Sequence, residues 1–418
     1  MASKPAQAIV VAQRVGRAVA RMPGLGILWA PPRAAGFAVE TFVKQRLGLG
    51  NPDLPRARNS LRLTAQVALD EAFLGAMRNP SRYPTAADYH SLATELAAAK
   101  ELYEEKGWLA DPRSYHRDPP PLDKPHITKS WAMGLTYERL SWPSSYETWE
   151  GEPNAPRWNA YERNRIAYSY VVRTRPDRPW MVMLHGFSTG VPTADFFAFR
   201  ARRLSQELGL NLIFPVLPLH GPRRASRLSG AELLSWNVID FVTGMAQAMW
   251  DVRAAISWVR AQGATKIGVH GMSLGAYTGA LLSALEPGLD LLVAGAPLCD
   301  MPGLIEHHMP KRLRGKAVEH GILPELLQDI FRPVSPLAWP CTVAPQHIHM
   351  YAGVGDRMST PEQAHRLWAH WNKPRVLWYE GSHISFLWSS EVTRFIDEAL
   401  VDAGFIDRRA AREVPVTA

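Results

Sequence analysis

Five short apolar runs constrain this chain most. They are "WMVMLHG" at 180–186, "NLIFPVLPLHG" at 211–221, "LDLLVAGAPLCD" at 289–300, "HIHMYAGVGD" at 347–356 and "RVLWYE" at 375–380. Most carry apolar residues at consecutive positions rather than alternate ones and end at glycine or a turn. A strand of that kind has no polar face to offer water and must be buried on both sides. "TKIGV" at 265–269 reads as one more. Helical stretches fall between them, over Thr193–Leu208, Ala231–Gln262 and from Ala276 to Leu285. Strands alternating with helices predict an α/β domain with a mostly parallel central sheet and helices on both faces. Ahead of them, "MGLTYERLSW" and "NRIAYSYVVRT" alternate as half-buried strands do.

The first part of the chain reads differently. Residues 5–22, 61–77 and 86–105 have helical character, and the proline-rich "DPPPLDKP" at 118–125 closes this part. The expected division is a basic, largely helical extension over 1–125 and the α/β domain over 126–418. Residues 1–62 hold ten Lys or Arg against Glu40 and Asp53, so they carry the whole net charge of +8. On 5–22 the residues Arg14, Arg17 and Arg21 share one helical face, with Val11, Val15 and Val19 on another. That pattern fits a helix docked on its own protein, and it also fits peripheral contact with an anionic membrane surface. The arginines interrupt any signal-peptide apolar stretch, and no run of 18 apolar residues predicts a membrane-spanning helix. Two cysteines, Cys299 and Cys341, cannot build a disulfide framework, which suits a cytoplasmic location.

The chemistry concentrates at "HGMSLGAY", 270–277. Ser273 stands between Gly271 and Gly275, directly after a buried strand and before a helix rich in small residues. A turn this abrupt leaves no room for Cβ atoms at the two glycines. This geometry is that of a nucleophile elbow. Downstream, Asp356 lies in "YAGVGDRMSTPEQ" and His383 in "YEGSHISF", each in a loop between a strand and a helix.

In these motifs the chain resembles the α/β-hydrolase superfamily over roughly residues 127–410, in which the catalytic residues run nucleophile, acid, histidine. The resemblance implies Ser273 as nucleophile, His383 as base and then acid, and Asp356 as the carboxylate that orients the imidazole. Asp300, at the end of "PLCD", is the rival for the acid; Asp356 is preferred because its strand–loop–helix signal is cleaner. The oxyanion hole is expected from the backbone N–H groups of Leu274 and Phe187, the latter in "LHGFSTG". Residues 301–345 fall where relatives carry a lid. Their apolar Met301, Leu304, Ile305, Leu323, Leu326 and Phe331 lie among Lys311, Arg312, Arg314 and Lys316.

A second His-Gly turn, "LPLHGPRRASR", places His220 as a brace for its loop, and Arg223 and Arg224 as candidates for an anionic part of a substrate. The competing reading has these arginines solvated or internally paired. No cofactor is implied. His347 with His349, and His307 with His308, lack companion ligands at metal-site spacing. No phosphate-cradling glycine loop and no nucleic-acid module is present. The expected activity is cleavage of a carboxylic ester, lipid or otherwise, through an acyl-enzyme. Amide or peptide cleavage by the same triad, or a non-catalytic binding module on a hydrolase fold, are the alternatives.

Overall fold

A computed structural model describes residues 25–48, 51–77 and 83–408. Its centre is a nine-stranded sheet. In chain order the strands are β1 (His126–Ala132), β2 (Leu135–Pro143), β3 (Ile166–Val172), β4 (Trp180–Leu184), β5 (Asn211–Pro215), β6 (Ile267–Met272), β7 (Leu291–Gly295), β8 (Ile348–Gly353) and β9 (Arg375–Tyr379). Their spatial order is β1-β2-β3-β5-β4-β6-β7-β8-β9. From β5 to β8 every pairing is parallel, whereas β1, β2, β3 and β5 pair antiparallel.

The burial of each strand follows its composition. Strands β4, β5, β6, β7 and β8 are buried at every position. Strand β2 alternates buried and exposed residues, as an antiparallel strand near an edge does. Strand β1, "HITKSWA", is exposed at most positions and shows no apolar periodicity, so only its pairing with β2 reveals it as a strand.

The helices are α1 (Ala30–Leu47), α2 (Leu61–Met77), α3 (Ala86–Glu105), α4 (Ala155–Asn159), α5 (Pro192–Ala198), α6 (Val238–Ala261), α7 (Leu274–Leu285), α8 (Met301–His308), α9 (Lys311–Glu319), α10 (Pro324–Phe331), α11 (Pro361–His370) and α12 (Ser390–Asp402). This is the mostly parallel α/β class implied by the α/β-hydrolase resemblance. Two helices depart from expectation. The stretch 193–208 breaks after α5, where Arg200 takes a left-handed φ of 51°, and resumes as a π-helical turn over Arg203–Glu207. There Arg203 makes a buried, two-pronged ion pair with Asp397 (2.7 and 3.0 Å), a tertiary demand that local propensity does not carry. Residues 231–237 are turns, and α6 begins only at Val238.

The chain forms two compact units. The larger comprises Ala87–Tyr351, Gln363–Leu377 and the residues from Ser390 on; the smaller comprises the residues up to Ala86, Ala352–Glu362 and Trp378–Ser389. This partition differs from a single cut at 125/126. Helix α3 goes with the larger unit because its Tyr89, Leu96, Ala99 and Tyr103 are fully buried in that unit's core. In the smaller unit Ala34 of α1 and Leu63 and Val67 of α2 form a separate core with Phe37, Ala57 and Ala68 around it.

Residues 301–345 hold α8, α9 and α10, and Phe331 stacks on Phe241 at 5.5 Å in the core of the larger unit. The arginine-bearing segment 5–22 lies outside the described residues. Among the described residues, no helix is long and apolar enough to cross a membrane.

Candidate active site

In the larger unit Ser273 stands at the junction of β6 and α7. Ser273 has φ 55° and ψ −119°, a backbone conformation that side-chain-bearing residues rarely adopt. Its N–H donates to the Gly295 carbonyl of β7 (2.8 Å), which fixes the strained residue to the sheet. The two glycines are sterically obligatory. A Cβ on Gly271 would lie 2.1 Å from the Gly275 oxygen, and a Cβ on Gly275 would lie 1.8 Å from the Leu184 oxygen of β4. Any larger residue at either place would force the strands and helix apart.

The turn that follows β4 comes to the same place. A Cβ on Gly186 would stand 3.5 Å from the Ser273 Cβ, so the backbone of the "LHGFSTG" turn runs beside the serine. Phe187 comes next and Leu274 opens α7. Among the described residues, neither the Phe187 nor the Leu274 N–H meets an acceptor. Phe187 thus directly follows the glycine whose backbone runs beside Ser273, and Leu274 directly follows the serine itself.

The histidines around this turn are structural. His185 donates from Nδ1 to the Gly186 carbonyl (2.8 Å) and accepts the Leu217 N–H at Nε2 (3.0 Å), which fixes its neutral tautomer. Burial drives its pKa down to about 4. His220 hydrogen-bonds through Nδ1 to the Pro218 carbonyl (2.9 Å), and its ring stands edge-on to that of His185. Burial, with the His185 charge next, lowers its pKa to about 3. His270, on β6, is buried against the Tyr351 hydroxyl (3.0 Å) and lowered to about 3 by burial.

Of the two arginines proposed for a substrate anion, Arg223 requires correction. It is fully buried, with Nη1 donating to the Val216 carbonyl and Nη2 to Asn164 O and Asp251 Oδ2 (2.8 to 3.0 Å). A guanidinium left without partners in a core is costly, and Asp251 together with two carbonyls explains why it sits there. Arg224 is exposed and donates from Nη1 to the Gly221 carbonyl (3.1 Å).

Asp300 is also used structurally. It caps α8 by accepting the Gly303 N–H (3.1 Å), accepts a bond from Gln328 (3.0 Å) and pairs with Arg366. Among the described residues no group of three His, Cys, Asp or Glu is placed to hold a metal ion, and neither His347 with His349 nor His307 with His308 belongs to one.

In the smaller unit, Asp356 and His383 meet. His383 Nδ1 lies 2.7 Å from Asp356 Oδ2, both side chains being about 95% buried. The other oxygen of Asp356 accepts the N–H groups of Met358 and Ser359, each at 2.8 Å. One carboxylate thus winds the loop that follows β8 and orients the imidazole. Burial lowers the imidazole pKa, but the charge and hydrogen bond of Asp356, with the charge of Asp70, outweigh it and raise the pKa above the ordinary 6.5.

Asp70 is the residue that sequence reasoning missed. It sits on α2, is fully buried, and accepts backbone N–H bonds from His383 (2.8 Å) and Arg357 (3.1 Å). A signal for it exists in the chain: Asp70 and Glu71 are the only charges in "LTAQVALDEAFLGAM", 63–77. A carboxylate inside an otherwise uncharged helix is rarely buried without partners.

No protein-family model matches the chain. Two curated proteins do, each 35% identical over 387 residues, covering 92% of this chain and 93% of the relative. They are the uncharacterized proteins MT2702 and Rv2627c of two Mycobacterium tuberculosis strains. Solved structures with a similar fold include an acetyl xylan esterase from Paenibacillus sp. R4 (14% identity, 66% of this chain, 93% of that chain, TM-score 0.44). The Pyrococcus furiosus esterase Pf2001 is a second (12%, 70% and 98%, TM-score 0.41). A third is a puromycin-hydrolyzing peptidase of Mycobacterium tuberculosis (16%, TM-score 0.41), where the likeness covers 58% of this chain and only 38% of the peptidase.

Proposed function

The chain belongs to the family of Mycobacterium tuberculosis Rv2627c, and from its own residues we propose that it is a serine hydrolase acting on carboxylic esters. The observation that carries this is the strained Ser273, held in a left-handed conformation at a strand-to-helix junction where two glycines admit no Cβ. Backbone strain of this kind clusters at active sites, where the surrounding structure holds it in place.

In this reading His383 takes the Ser273 Oγ proton as the oxygen attacks the ester carbonyl, forming the new C–O bond. The negative charge that develops on the carbonyl oxygen is met by the Leu274 and Phe187 N–H groups. Asp356 holds the imidazole with its Nδ1 proton toward the carboxylate, leaving Nε2 as the base, and stabilises the cation that forms. The same imidazole returns the proton to the leaving alcohol. It next removes a proton from water as the hydroxide adds to the acyl carbonyl, and it returns that proton to Oγ as the acyl C–Oγ bond breaks, which releases the acid and regenerates Ser273 and the neutral imidazole. The order serine, aspartate, histidine along the chain and the 2.7 Å His383–Asp356 bond support these roles.

The test is a fluorophosphonate probe, run beside turnover of p-nitrophenyl esters of increasing chain length and of matched anilides. Labelling that disappears in Ser273→Ala, together with ester turnover well above anilide turnover, is the expected result. Labelling elsewhere would remove the serine assignment, and faster anilide cleavage would replace the ester by an amide.

The same proposal includes peripheral contact with an anionic membrane surface. Val39, Phe42, Val43 and Leu47 of α1 are exposed large apolar residues at helical spacing, with Lys44 and Arg46 among them. They belong to the region, residues 1–62, that carries the chain's whole net charge of +8. Flotation with anionic vesicles that salt abolishes would support it; binding indifferent to salt and to lipid charge would not.

A further inference from the structure

We propose that Asp70 is a positioning residue for the His383–Asp356 pair, its carboxylate holding by their backbones the two loops that carry them. The proposal rests on the reading of His383 as base and Asp356 as its orienting acid. The geometry is specific. Asp70 Oδ2 accepts the N–H of His383 itself (2.8 Å) and that of Arg357, the residue after Asp356 (3.1 Å), while Oδ1 faces the Ile384 N–H at 3.4 Å. One carboxylate therefore spans both loops.

Helix α2 is held close enough to do this by its apolar neighbours. A Cβ on Gly355 would lie 2.7 Å from Leu63 and 3.3 Å from Val67, so glycine at 355 is what lets the helix approach the Asp356 loop. Glu71, the next residue, repeats the tie through side chains. It accepts from Arg357 Nε (3.2 Å) and from Arg33 (3.3 Å). The Arg357 guanidinium also lies over the Phe37 ring of α1.

The site calls for a carboxylate rather than an amide. Three N–H donors point at Asp70, and asparagine would turn its own donor toward at least one of them. Charge matters as well. Burial, with the Asp356 charge next, pushes the Asp70 pKa up to about 6, so the group is ionised at neutral pH. The charged groups around it are Asp356 and His383. Arg357 is paired to Glu71, Glu71 to Arg33, and Glu40 to Lys44 on α1 beyond them. An ionised Asp70 thus adds a second anion to the surroundings of the imidazole and favours its cation.

The experiment compares the full chain with Asp70→Asn by two readouts. One is the titration of His383 followed by NMR with nitrogen-labelled histidine, assigned by the signal lost in His383→Gln. The other is the pH profile of turnover of a short-chain p-nitrophenyl ester. The expected result is a His383 pKa moved downward in both, with kcat lower by about ten- to hundredfold and KM little changed, as misplacement of a base produces. Asp70→Ser, which leaves space for a water in place of the carboxylate, carries the same expectation if the asparagine variant is too unstable to purify. A His383 titration that stays in place overturns the proposal, whatever happens to thermal stability. Wild-type turnover in Ser273→Ala instead sinks the hydrolase reading alone, because the titration reads Asp70 and His383 without catalysis.

Discussion

The two compact units hold Ser273 and His383 by opposite means. In the larger, Ser273 is placed by the absence of side chains. Gly271 and Gly275 let β6, α7 and the end of β4 close on one another, and backbone contact forces the serine into its strained turn. In the smaller, His383 is placed by buried charge, with Asp356 on its Nδ1 and Asp70 on its backbone N–H. Steric placement tolerates no added atom but is indifferent to pH. Electrostatic placement fails when a charge is removed or titrated, even by a substitution of the same size. The difference says which perturbation each half should resist.

The sharpest break of that comparison is Ser273→Ala. It should lower turnover by up to about 10⁶-fold, the scale found when a serine protease loses its nucleophile, and should leave the melting temperature unchanged or raised as strain is relieved. Turnover within tenfold of the parent chain would end the assignment.

Next comes the electrostatic half. Asp356→Asn should lower kcat by about 10⁴-fold by allowing the wrong imidazole tautomer, with the fold retained. Asp300→Asn should do the converse. It weakens a helix cap and an ion pair, at roughly 1–2 kcal/mol of stability by chemical denaturation, and leaves kcat within a few-fold. Reversal of the two effects would exchange the acid and the cap.

The steric half is probed by Gly275→Ala. One methyl group is directed into the Leu184 carbonyl, so a loss of at least about 3 kcal/mol in unfolding free energy, or failure to fold, is expected. The contrasting substitution is Gly315→Ala in α9, where a Cβ meets nothing within 4 Å. It should stabilise by about 0.5–1 kcal/mol. Equal responses would show that the elbow glycines are not sterically required.

The smallest effect is on pH dependence. A base role requires neutral His383, whose pKa is raised: burial lowers it, but Asp356 and Asp70 more than compensate. Acidification through that pKa protonates the base, so the acid limb of kcat/KM should fall above pH 6.5. A limb well below 6.5 would mean that the anions are not acting on the working imidazole.

The buried strands and the Ser273 turn follow from local composition. Continuous apolar runs such as "WMVML" have one stable environment, a sheet covered on both faces, and glycines flanking a serine at a strand's end admit few geometries. Asp356 and His383 were legible for the same local reason, each lying in a short loop after such a strand.

Other features depend on partners distant in the chain. Strand β1 has no apolar pattern and exists through its partner β2. The helix over 193–208 breaks at Arg200 and resumes in the π-helical turn from which Arg203 pairs with Asp397, nearly two hundred residues away. Arg223 looks like a surface cation beside Arg224 and is instead buried on Asp251 and two carbonyls. Asp70 lies 313 positions before the histidine whose amide it accepts. Local sequence shows what a segment prefers by itself. Buried charges are settled by partners brought together from far along the chain, because a charge leaves water only where another group replaces its hydration.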